Sequence, residues 1–196
     1  MNEEIEYRIK RVQAGEIQDY AYIVKEYQRQ IFVYCWRILG SEQEAEEAVQ
    51  EIFVSAFEKI SMYKPTVGFS SWLYKMAYHY CLNLIRRKKL QRKFKITLFT
   101  STNMTSDSAA QIMERQLFSE PLSRALDQLN AEERNLLVLR IFEEKSFGEI
   151  GEIMNKSEEA IKKKYGRTKT KLKKMMEPIK EDPKCVNYKT ELRNKA

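Results

Sequence analysis

The sequence predicts an all-α protein of two small helical domains joined by a flexible linker, the second domain containing a helix-turn-helix. Only 6 Gly and 4 Pro occur among 196 residues, and helix-forming Glu, Lys, Leu and Ile are abundant. Apolar residues recur at helical spacing along most of the chain. A Ser-, Thr- and Asn-rich stretch interrupts that spacing at 97–110. We therefore expect domains at 1–90 and 119–176, a linker at 91–118 and a flexible tail at 177–196.

The first two helices are predicted from apolar spacing and from the glycines that end them. A short helix covers 3–13 and ends at Gly15, and a long core helix covers 18–39 and ends at Gly40. The inward stripe of the long helix comprises Tyr20, Ile23, Val24, Tyr27, Ile31, Phe32, Cys35 and Ile38.

A third helix begins after Ser41, which forms a capping-box pattern with Glu44, and runs to about Ile60. Its predicted inner stripe is Ala45, Ala48, Val49, Ile52, Phe53, Ala56 and Phe57. Its opposite face is acidic and polar, with Glu46, Glu47, Gln50, Glu51 and Glu58. Because acids repel phosphate, this face is either a solvated surface or a docking site for a basic protein partner.

The fourth helix combines aromatic and basic residues. A loop with Pro65 and Gly68 occupies 61–69, and a helix is predicted from Ser70 to about Lys89. It carries Trp72, Tyr74, Tyr78 and Tyr80 and ends in Arg86, Arg87, Lys88 and Lys89. Rings that stack on unpaired bases, beside cations that hold the backbone, suit single-stranded nucleic acid. Alternatively the rings belong to the core, and for Trp72 and Tyr80 at least partial burial is expected.

The second domain begins where apolar periodicity returns, at 117–129. Asn130 is the predicted N-cap of a helix over 131–144, and these two helices supply the core on which the helix-turn-helix rests. Beyond Met176, two prolines and the lack of an apolar stripe predict a frayed tail.

The stretch 146–174 predicts two short helices around a tight turn. Ser146 and Glu149 form a capping-box pattern, and Asn155 suits the left-handed end of the first helix. Ser157 is the predicted N-cap of the second helix. The buried stripe of the first helix is Phe147, Ile150, Ile153 and Met154.

The last helix is amphipathic. Ile161, Tyr165, Thr168 and Leu172 share one face and are expected to point inward. The other faces carry Lys162, Lys163, Lys164, Arg167, Lys169, Lys171 and Lys173. A helix, a tight turn and a basic second helix indicate a helix-turn-helix, whose second helix enters the DNA major groove. The alternative is a solvated lysine-rich surface helix.

Charge and cysteine content narrow the class of protein. The net charge is +7, and residues 64–95 contain nine Lys or Arg and no Asp or Glu, which favours a polyanionic partner. Cys35, Cys81 and Cys185 show no metal-ligand spacing, so we expect free thiols, no metal and no cofactor. Without an apolar run long enough for a membrane span or a signal-peptide core, a soluble cytoplasmic protein is expected.

Three segments together resemble the bacterial sigma factors of the extracytoplasmic-function group. They are EAEEAVQEIFVSAFEKI, FSSWLYKMAYHYCLNLIRRKK and the run from LSRALDQL to GRTKTKL, and the resemblance covers about residues 15–176. The occurrence of all three segments in this order, around a polar linker, is a more specific signal of the group than any one segment alone.

The resemblance implies a non-catalytic subunit that binds core RNA polymerase and directs it to promoters, in a stress or envelope response. The acidic face would dock on the β′ clamp helices through Glu47, Gln50 and Glu51, with the β flap as a further contact. The −10 element would be recognised and opened by Lys64, Phe69, Trp72, Lys75, His79, Asn83, Arg86 and Arg87. The −35 element would be read by Lys162, Lys163, Lys164 and Arg167. An anti-sigma protein, often membrane-anchored in this group, is a further expected partner.

Single positions carry more specific hypotheses. Arg167 is the best candidate for a base contact, because only its planar fork bonds guanine bidentately, whereas lysines suit phosphates. His79 stands where many members of the group have asparagine, and it is either a DNA contact or a structural residue. Gly166 stands where the group often has a bulkier residue, and one reason is close approach of the backbone to DNA.

Two other classes of protein are weaker explanations. A repressor or activator with a helix-turn-helix explains residues 146–174 but gives no role to the aromatic and basic segment near residue 75. A nuclease or recombinase needs a nucleophile or metal carboxylates in a shaped site, whereas this chain has one histidine and its acids lie on predicted exposed faces.

Overall fold

The computed structural model of the chain describes residues 3–98, 125–126 and 128–176. In this part of the chain every regular element is a helix, which confirms the predicted all-α class. In chain order the helices are α1 (Glu3–Gln13), α2 (Gln18–Leu39), α3 (Glu42–Lys59), α4 (Phe69–Leu98), α5 (Ala131–Leu137), α6 (Phe147–Met154) and α7 (Glu158–Met176). A 3₁₀ turn, Ile60–Met62, follows α3, and a π-helical segment, Val138–Phe142, follows α5.

The N-terminal half, α1 to α4, follows its local signals closely. The bounds of α1 and α2 are those predicted. Gly40 ends α2 in the left-handed region, with φ 70°, and donates its N–H to the Trp36 carbonyl at 2.8 Å. Ser41 caps α3 by accepting a hydrogen bond from the Glu44 N–H at 3.4 Å. The residues that begin and end helices therefore predict the bounds of α1 and α2 and the start of α3 correctly.

Two predictions about this half are wrong. α4 continues past Lys89 to Leu98, because residues 90–98 contain neither Gly nor Pro, and a nucleated helix extends without an apolar stripe. The helix thus enters the stretch assigned to the linker. Phe57 is 37% exposed instead of lying in the inner stripe of α3. Its ring sits at the edge of the helix against the Tyr20 ring, with centroids 4.9 Å apart.

The C-terminal half, α5 to α7, begins with a full capping box. The Asn130 side chain accepts from the Glu133 N–H at 2.9 Å, and the Glu133 carboxylate accepts from the Asn130 N–H at 3.0 Å. The predicted helix over 131–144 is α-helical only to Leu137 and then widens into the π-helical segment. The wider turn is seen in the Glu143 N–H, which donates to the Val138 carbonyl at 3.1 Å.

The two halves share one hydrophobic core. Leu136, Leu139, Ile150 and Ile153 of the C-terminal half are fully buried in the same cluster as α1 to α4. α4 packs on α6, and α2 packs on α5. A smaller cluster of Leu126, Leu129 and Leu137 packs against Leu172 and Met175 of α7. The predicted linker beyond Leu98 and the predicted tail lie outside the described residues, and the domain boundaries stay predictions.

Candidate nucleic-acid interface

The helix-turn-helix is formed by α6, a turn at 155–157 and α7. Ser146 accepts from the Glu149 N–H at 3.2 Å, and Glu149 accepts from the Ser146 N–H at 2.8 Å, which confirms the predicted capping box. Asn155 ends α6 in the left-handed region with φ 53°. Ser157 accepts from the Ala160 N–H at 3.3 Å and caps α7. Each predicted cap is present, so the turn is fixed by hydrogen bonds at both ends.

Gly151 sets how tightly that turn closes. A Cβ atom on Gly151 would lie 2.6 Å from the Lys156 carbonyl oxygen, closer than a carbon and a backbone oxygen can approach. α6 and the start of α7 can therefore come together only around a glycine. Sequence analysis missed this requirement, although a glycine in the middle of a short apolar helix is a signal for it.

The face of α7 that points away from the core is basic. Ile161 and Thr168 are buried, and Tyr165 and Leu172 are half-buried against the core, as predicted. Lys163 and Arg167 are exposed, and neither forms an ion pair within the described part of the chain. Gly166 beside Arg167 has open space around it. The exposed side of α7 thus places the planar guanidinium of Arg167 next to backbone at Gly166 that no side chain covers.

The other two predicted −35 lysines are engaged by acids of the protein. Lys162 is exposed and pairs with Glu158 one turn earlier, at 2.6 Å. Lys164 is half-buried and forms an ion pair and hydrogen bond with Glu132 of α5, and this hydrogen bond lowers the pKa of Glu132. Lys156 approaches the same carboxylate at 3.6 Å. Lys164 is consequently held toward α5 in this structure.

A second surface lies on α4 and the elements beside it. A cavity of about 460 Å³ opens between α3, the 3₁₀ turn and α4. Three of the predicted −10 residues, Trp72, Lys75 and His79, line it together with apolar side chains. Asn83, Arg86 and Arg87 are exposed on the following turns of α4, and Lys64 is exposed in the preceding loop. The structure therefore places six of the eight predicted −10 residues along one accessible face of α4, and it leaves Lys64 exposed in the preceding loop.

Phe69 is the exception. It is 3% exposed, within a cluster of rings formed by Tyr27, Tyr63 and Trp72 at centroid distances of 5.2–5.6 Å. Tyr74 and Tyr78 are also buried, whereas Trp72 and Tyr80 are half-buried, as expected for those two rings. In this conformation Phe69 supports the Trp72 ring and does not reach the surface.

His79 is placed among cations. Partial burial, followed by the charges of Lys75 and Arg86, lowers the pKa of His79 below its usual value. The imidazole is therefore biased toward its neutral form at pH 7. Its Nε2 atom lies 3.3 Å from the Nδ2 atom of Asn155, in the turn of the helix-turn-helix.

The acidic face of α3 is the third exposed surface. Glu47, Gln50 and Glu51 are exposed, and Glu51 stands at the rim of the cavity. Val54, on the same helix, is 56% exposed. A single exposed apolar side chain is ordinary on a protein surface, so the two interpretations of this face, a solvated surface or a docking site, both remain.

The remaining predictions about the site concern thiols and metals. Cys35 and Cys81 are free and buried, as expected, and Cys185 lies outside the described residues. Within 3–98 and 125–176, as far as they are described, there is no group of three His, Cys, Asp or Glu side chains that could hold a metal. In the same residues, no helix is long and apolar enough to cross a membrane.

The fold and the site define an all-α DNA-binding protein with a helix-turn-helix and a separate aromatic and basic helix. Residues 23–91 match the family Sigma-70 region 2, and residues 125–174 match Sigma-70, region 4. The chain is 31% identical over 183 residues to the ECF RNA polymerase sigma factor SigW of Bacillus subtilis (strain 168), covering 89% of this chain and 98% of the relative.

Two solved structures share the fold. CnrH, in complex with the cytosolic domain of CnrY, gives a TM-score of 0.66 at 17% identity, covering 87% of this chain and 95% of that one. The sigma factor RpoE of Bartonella quintana, in complex with the anti-sigma factor NepR, gives 0.64 at 15% identity, covering 83% and 99%.

The chain therefore belongs to the sigma-70 family, and within it to the extracytoplasmic-function (ECF) sigma factors. Its function is promoter-specific initiation of transcription with RNA polymerase. The resemblance stated from sequence motifs is confirmed.

Proposed function

We propose that this sigma factor works through three surfaces: α7 for the −35 element, the α4 face for the −10 element, and the acidic face of α3 for core RNA polymerase, the last two meeting at Glu51 on the rim of the cavity. The observation that carries the proposal is the presence, in one chain, of a helix-turn-helix and a cavity-bearing aromatic and basic face. A protein that reads only duplex DNA needs the first surface and has no use for the second.

The −35 element is read by the exposed side of α7. Arg167 is the base-reading residue, because it is exposed, has no ion pair within the described residues, and carries the fork that matches guanine. Lys162 and Lys163, which precede Arg167 on α7, contact phosphates. Lys164 joins them only when its bond to Glu132 is exchanged for one to a phosphate.

The −10 element is engaged by α4 and the cavity beside it. At about 460 Å³ the cavity has room for an unstacked base, and Trp72 offers a ring for stacking. Lys75, Arg86 and Arg87 occur in this order along α4 and supply positive charge for the phosphates of the separated DNA strand. Phe69 acts indirectly, by holding the Trp72 ring from the inside.

Core polymerase docks on α3. Glu47 and Glu51 are separated by one helical turn and Gln50 lies beside them, so the three side chains present a compact acidic patch to a basic helical partner. In this proposal the acidic patch is complementary to the clamp helices of the β′ subunit. The β flap is the proposed contact of the C-terminal half.

An anti-sigma protein is the proposed regulator. Support comes from the two structurally similar proteins, one of which was solved with an anti-sigma factor and the other with a cytosolic domain of a second protein. The exposed apolar residues beside the acidic patch, Val54 and Phe57, are suitable targets for it. The regulated genes belong to a stress or envelope response in this proposal.

The proposal is tested by mapping transcription start sites in cells that overexpress the chain. The expected result is a set of new starts that share one −35 and one −10 sequence. Expressing Arg167→Ala at the same level should remove those starts, and Lys169→Ala, on the same helix, is the matched control. New starts that share no upstream element would contradict the proposed readout.

A further inference from the structure

Met62 is an apolar side chain that the chain holds out in solvent between two buried residues. It is 73% exposed, the highest value among the large apolar side chains of the described residues. It ends the 3₁₀ turn, and its neighbours Ile60 and Tyr63 are both buried. A single exposed apolar side chain is ordinary on a protein surface. What sets Met62 apart is its position and the way its backbone is fixed.

The position of Met62 is the rim of the cavity proposed to take an unstacked base. It lines that cavity of about 460 Å³ together with Trp72, Met76 and Tyr80 of α4. Because Met62 both lines the cavity and is largely exposed, its side chain continues the apolar wall of the cavity outward into solvent. A base in the cavity and the duplex that it left would therefore meet at this side chain.

The backbone on both sides of Met62 is fixed from α1. The Gln13 side-chain amide donates to the Ile60 carbonyl at 2.7 Å and to the Tyr63 carbonyl at 3.2 Å. The Tyr63 N–H donates to the Ile60 carbonyl at 3.1 Å, which closes the turn. Gln13 thus holds the stretch of backbone from which the Met62 side chain projects.

Tyr63 is a second anchor for the same stretch. Its hydroxyl lies 2.7 Å from Glu6 Oε1 and 2.9 Å from the Val67 carbonyl oxygen, so its proton is shared between an acceptor on α1 and one in the loop. Its ring lies 5.4 Å from the Trp72 ring, centroid to centroid. The cavity wall and the turn that carries Met62 are therefore held in one arrangement.

We propose that Met62 is an apolar wedge that keeps the opened −10 duplex from restacking, and that α1 positions this wedge through Gln13. The inference rests on the proposed function. When a base enters the cavity, the next base pair is left with one face unstacked, and an apolar side chain at the rim covers that face. Methionine is among the residues that proteins insert between base steps, and its unbranched thioether adapts to irregular gaps. Gln13 is a positioning residue, since it acts on the turn and not on the DNA.

A wedge of this kind acts on one step of initiation. It stabilises the opened duplex and contributes nothing while every base is stacked. Removing it should lower the yield of open complex and leave binding of core polymerase unchanged. A residue that acts only by positioning the wedge should have no further effect once the wedge is gone.

The test compares a duplex promoter with the same promoter opened beforehand by mismatches across the −10 element. Core polymerase and the full chain are used, and unpaired thymines are detected by their reactivity with permanganate. Met62→Ala should lower the yield of open complex on the duplex by about tenfold. On the opened promoter its transcript yield should equal that of the wild type. Met62→Leu keeps the apolar bulk and should open the duplex nearly as well as the wild type.

The matched control removes another exposed apolar side chain. Ile17 is 61% exposed in the connection between α1 and α2, and it lies outside the lining of the cavity. Ile17→Ala should therefore open the duplex as the wild type does. A variant that folds poorly or binds core polymerase weakly would lose yield on both promoters, so the opened promoter separates such a loss from the loss of a wedge.

A double-mutant cycle tests the positioning role. Gln13→Ala should lower opening of the duplex several-fold in the wild-type chain and have no further effect in Met62→Ala. Losses that add, or no loss in Gln13→Ala alone, would overturn the role of α1.

Three results decide the wedge itself. Opening of the duplex by Met62→Ala at the wild-type yield would overturn it, and so would an equal loss on the two promoters. A wild-type chain that gives no promoter-specific transcript on either template would instead overturn the proposed function.

Discussion

Arg37 and Glu143 form an ion pair at 2.9 Å across 106 residues of chain, with the Glu143 side chain only 8% exposed. Arg37 is in the last turn of α2, and Glu143 follows the π-helical segment in the other half. One buried pair thus connects the part of the protein proposed to bind core polymerase and the −10 element with the part that carries the helix-turn-helix.

Charge reversal on α3 tests the polymerase-docking patch. Glu47→Lys/Glu51→Lys should greatly weaken binding to core polymerase, because two attractive contacts become repulsive. Both side chains are exposed, so the thermal unfolding midpoint should change little. Glu26→Lys on the exposed side of α2 is the control for a change of charge elsewhere. Co-purification of the double variant with core at wild-type yield would refute the docking site.

Substitution of Arg167 tests the base contact. Arg167→Ala should lower affinity for the native −35 sequence by about 1–3 kcal/mol and relax selectivity at one base pair. Arg167→Lys should lose the same selectivity although it keeps the charge, because an ammonium group lacks the planar fork of a guanidinium.

The control is a lysine on the same face. Lys163→Ala should weaken binding to all DNA sequences alike and reduce the slope of log affinity against log salt concentration by about 0.9. Footprints of Arg167→Ala that match the wild type would remove Arg167 from the readout.

Gly151 and Gly166 of the helix-turn-helix allow a paired test, because the same substitution is expected to have opposite effects on stability at the two positions. Gly151→Ala should cost about 1–3 kcal/mol of unfolding free energy, because the new methyl group meets the Lys156 carbonyl. Gly166→Ala has open space and should stabilise the free protein by about 1 kcal/mol through helix propensity. If the backbone at Gly166 approaches DNA, the same variant should nevertheless bind the −35 element more weakly. Chemical denaturation and a binding isotherm separate the two effects.

Glu132 restrains a predicted DNA-binding lysine. Glu132→Gln removes the partner of Lys164, so Lys164 becomes available to phosphate, and DNA affinity should rise with a salt slope steeper by about 0.9. Stability should fall by no more than about 1 kcal/mol, because the pair is partly exposed. Glu159→Gln, exposed on α7, makes the same change of charge without freeing that lysine. Equal salt slopes for the two variants would show that Lys164 stays away from the DNA.

Local signals predicted the secondary structure and the caps because each depends on residues within one or two turns. Gly40, Ser146 and Asn155 act on their own helix ends, and all three behave as expected. The extension of α4 to Leu98 was missed because its last turns carry no apolar stripe to mark them. Only a close packing contact reveals the need for Gly151.

The exposed faces of the helices were predicted better than the burial of individual side chains on them. Apolar spacing indicates which helix face is buried, but it does not say which ring ends in the core, and Phe69 proved buried. The bonds of Tyr34 to Asn135 and of Arg37 to Glu143 join residues that are 101 and 106 positions apart in the chain. No local pattern encodes such pairs, so contact between the halves could be found only in the folded structure.

The most direct measurement is run-off transcription with purified core polymerase on a template that carries a start site mapped in cells. A discrete transcript should appear only when both core and this chain are present. It should be reduced by Arg167→Ala, and it should be restored in Glu47→Lys/Glu51→Lys only at much higher core concentration. A transcript that forms equally well without the chain, or none at any core concentration, would contradict its role as the promoter-directing subunit.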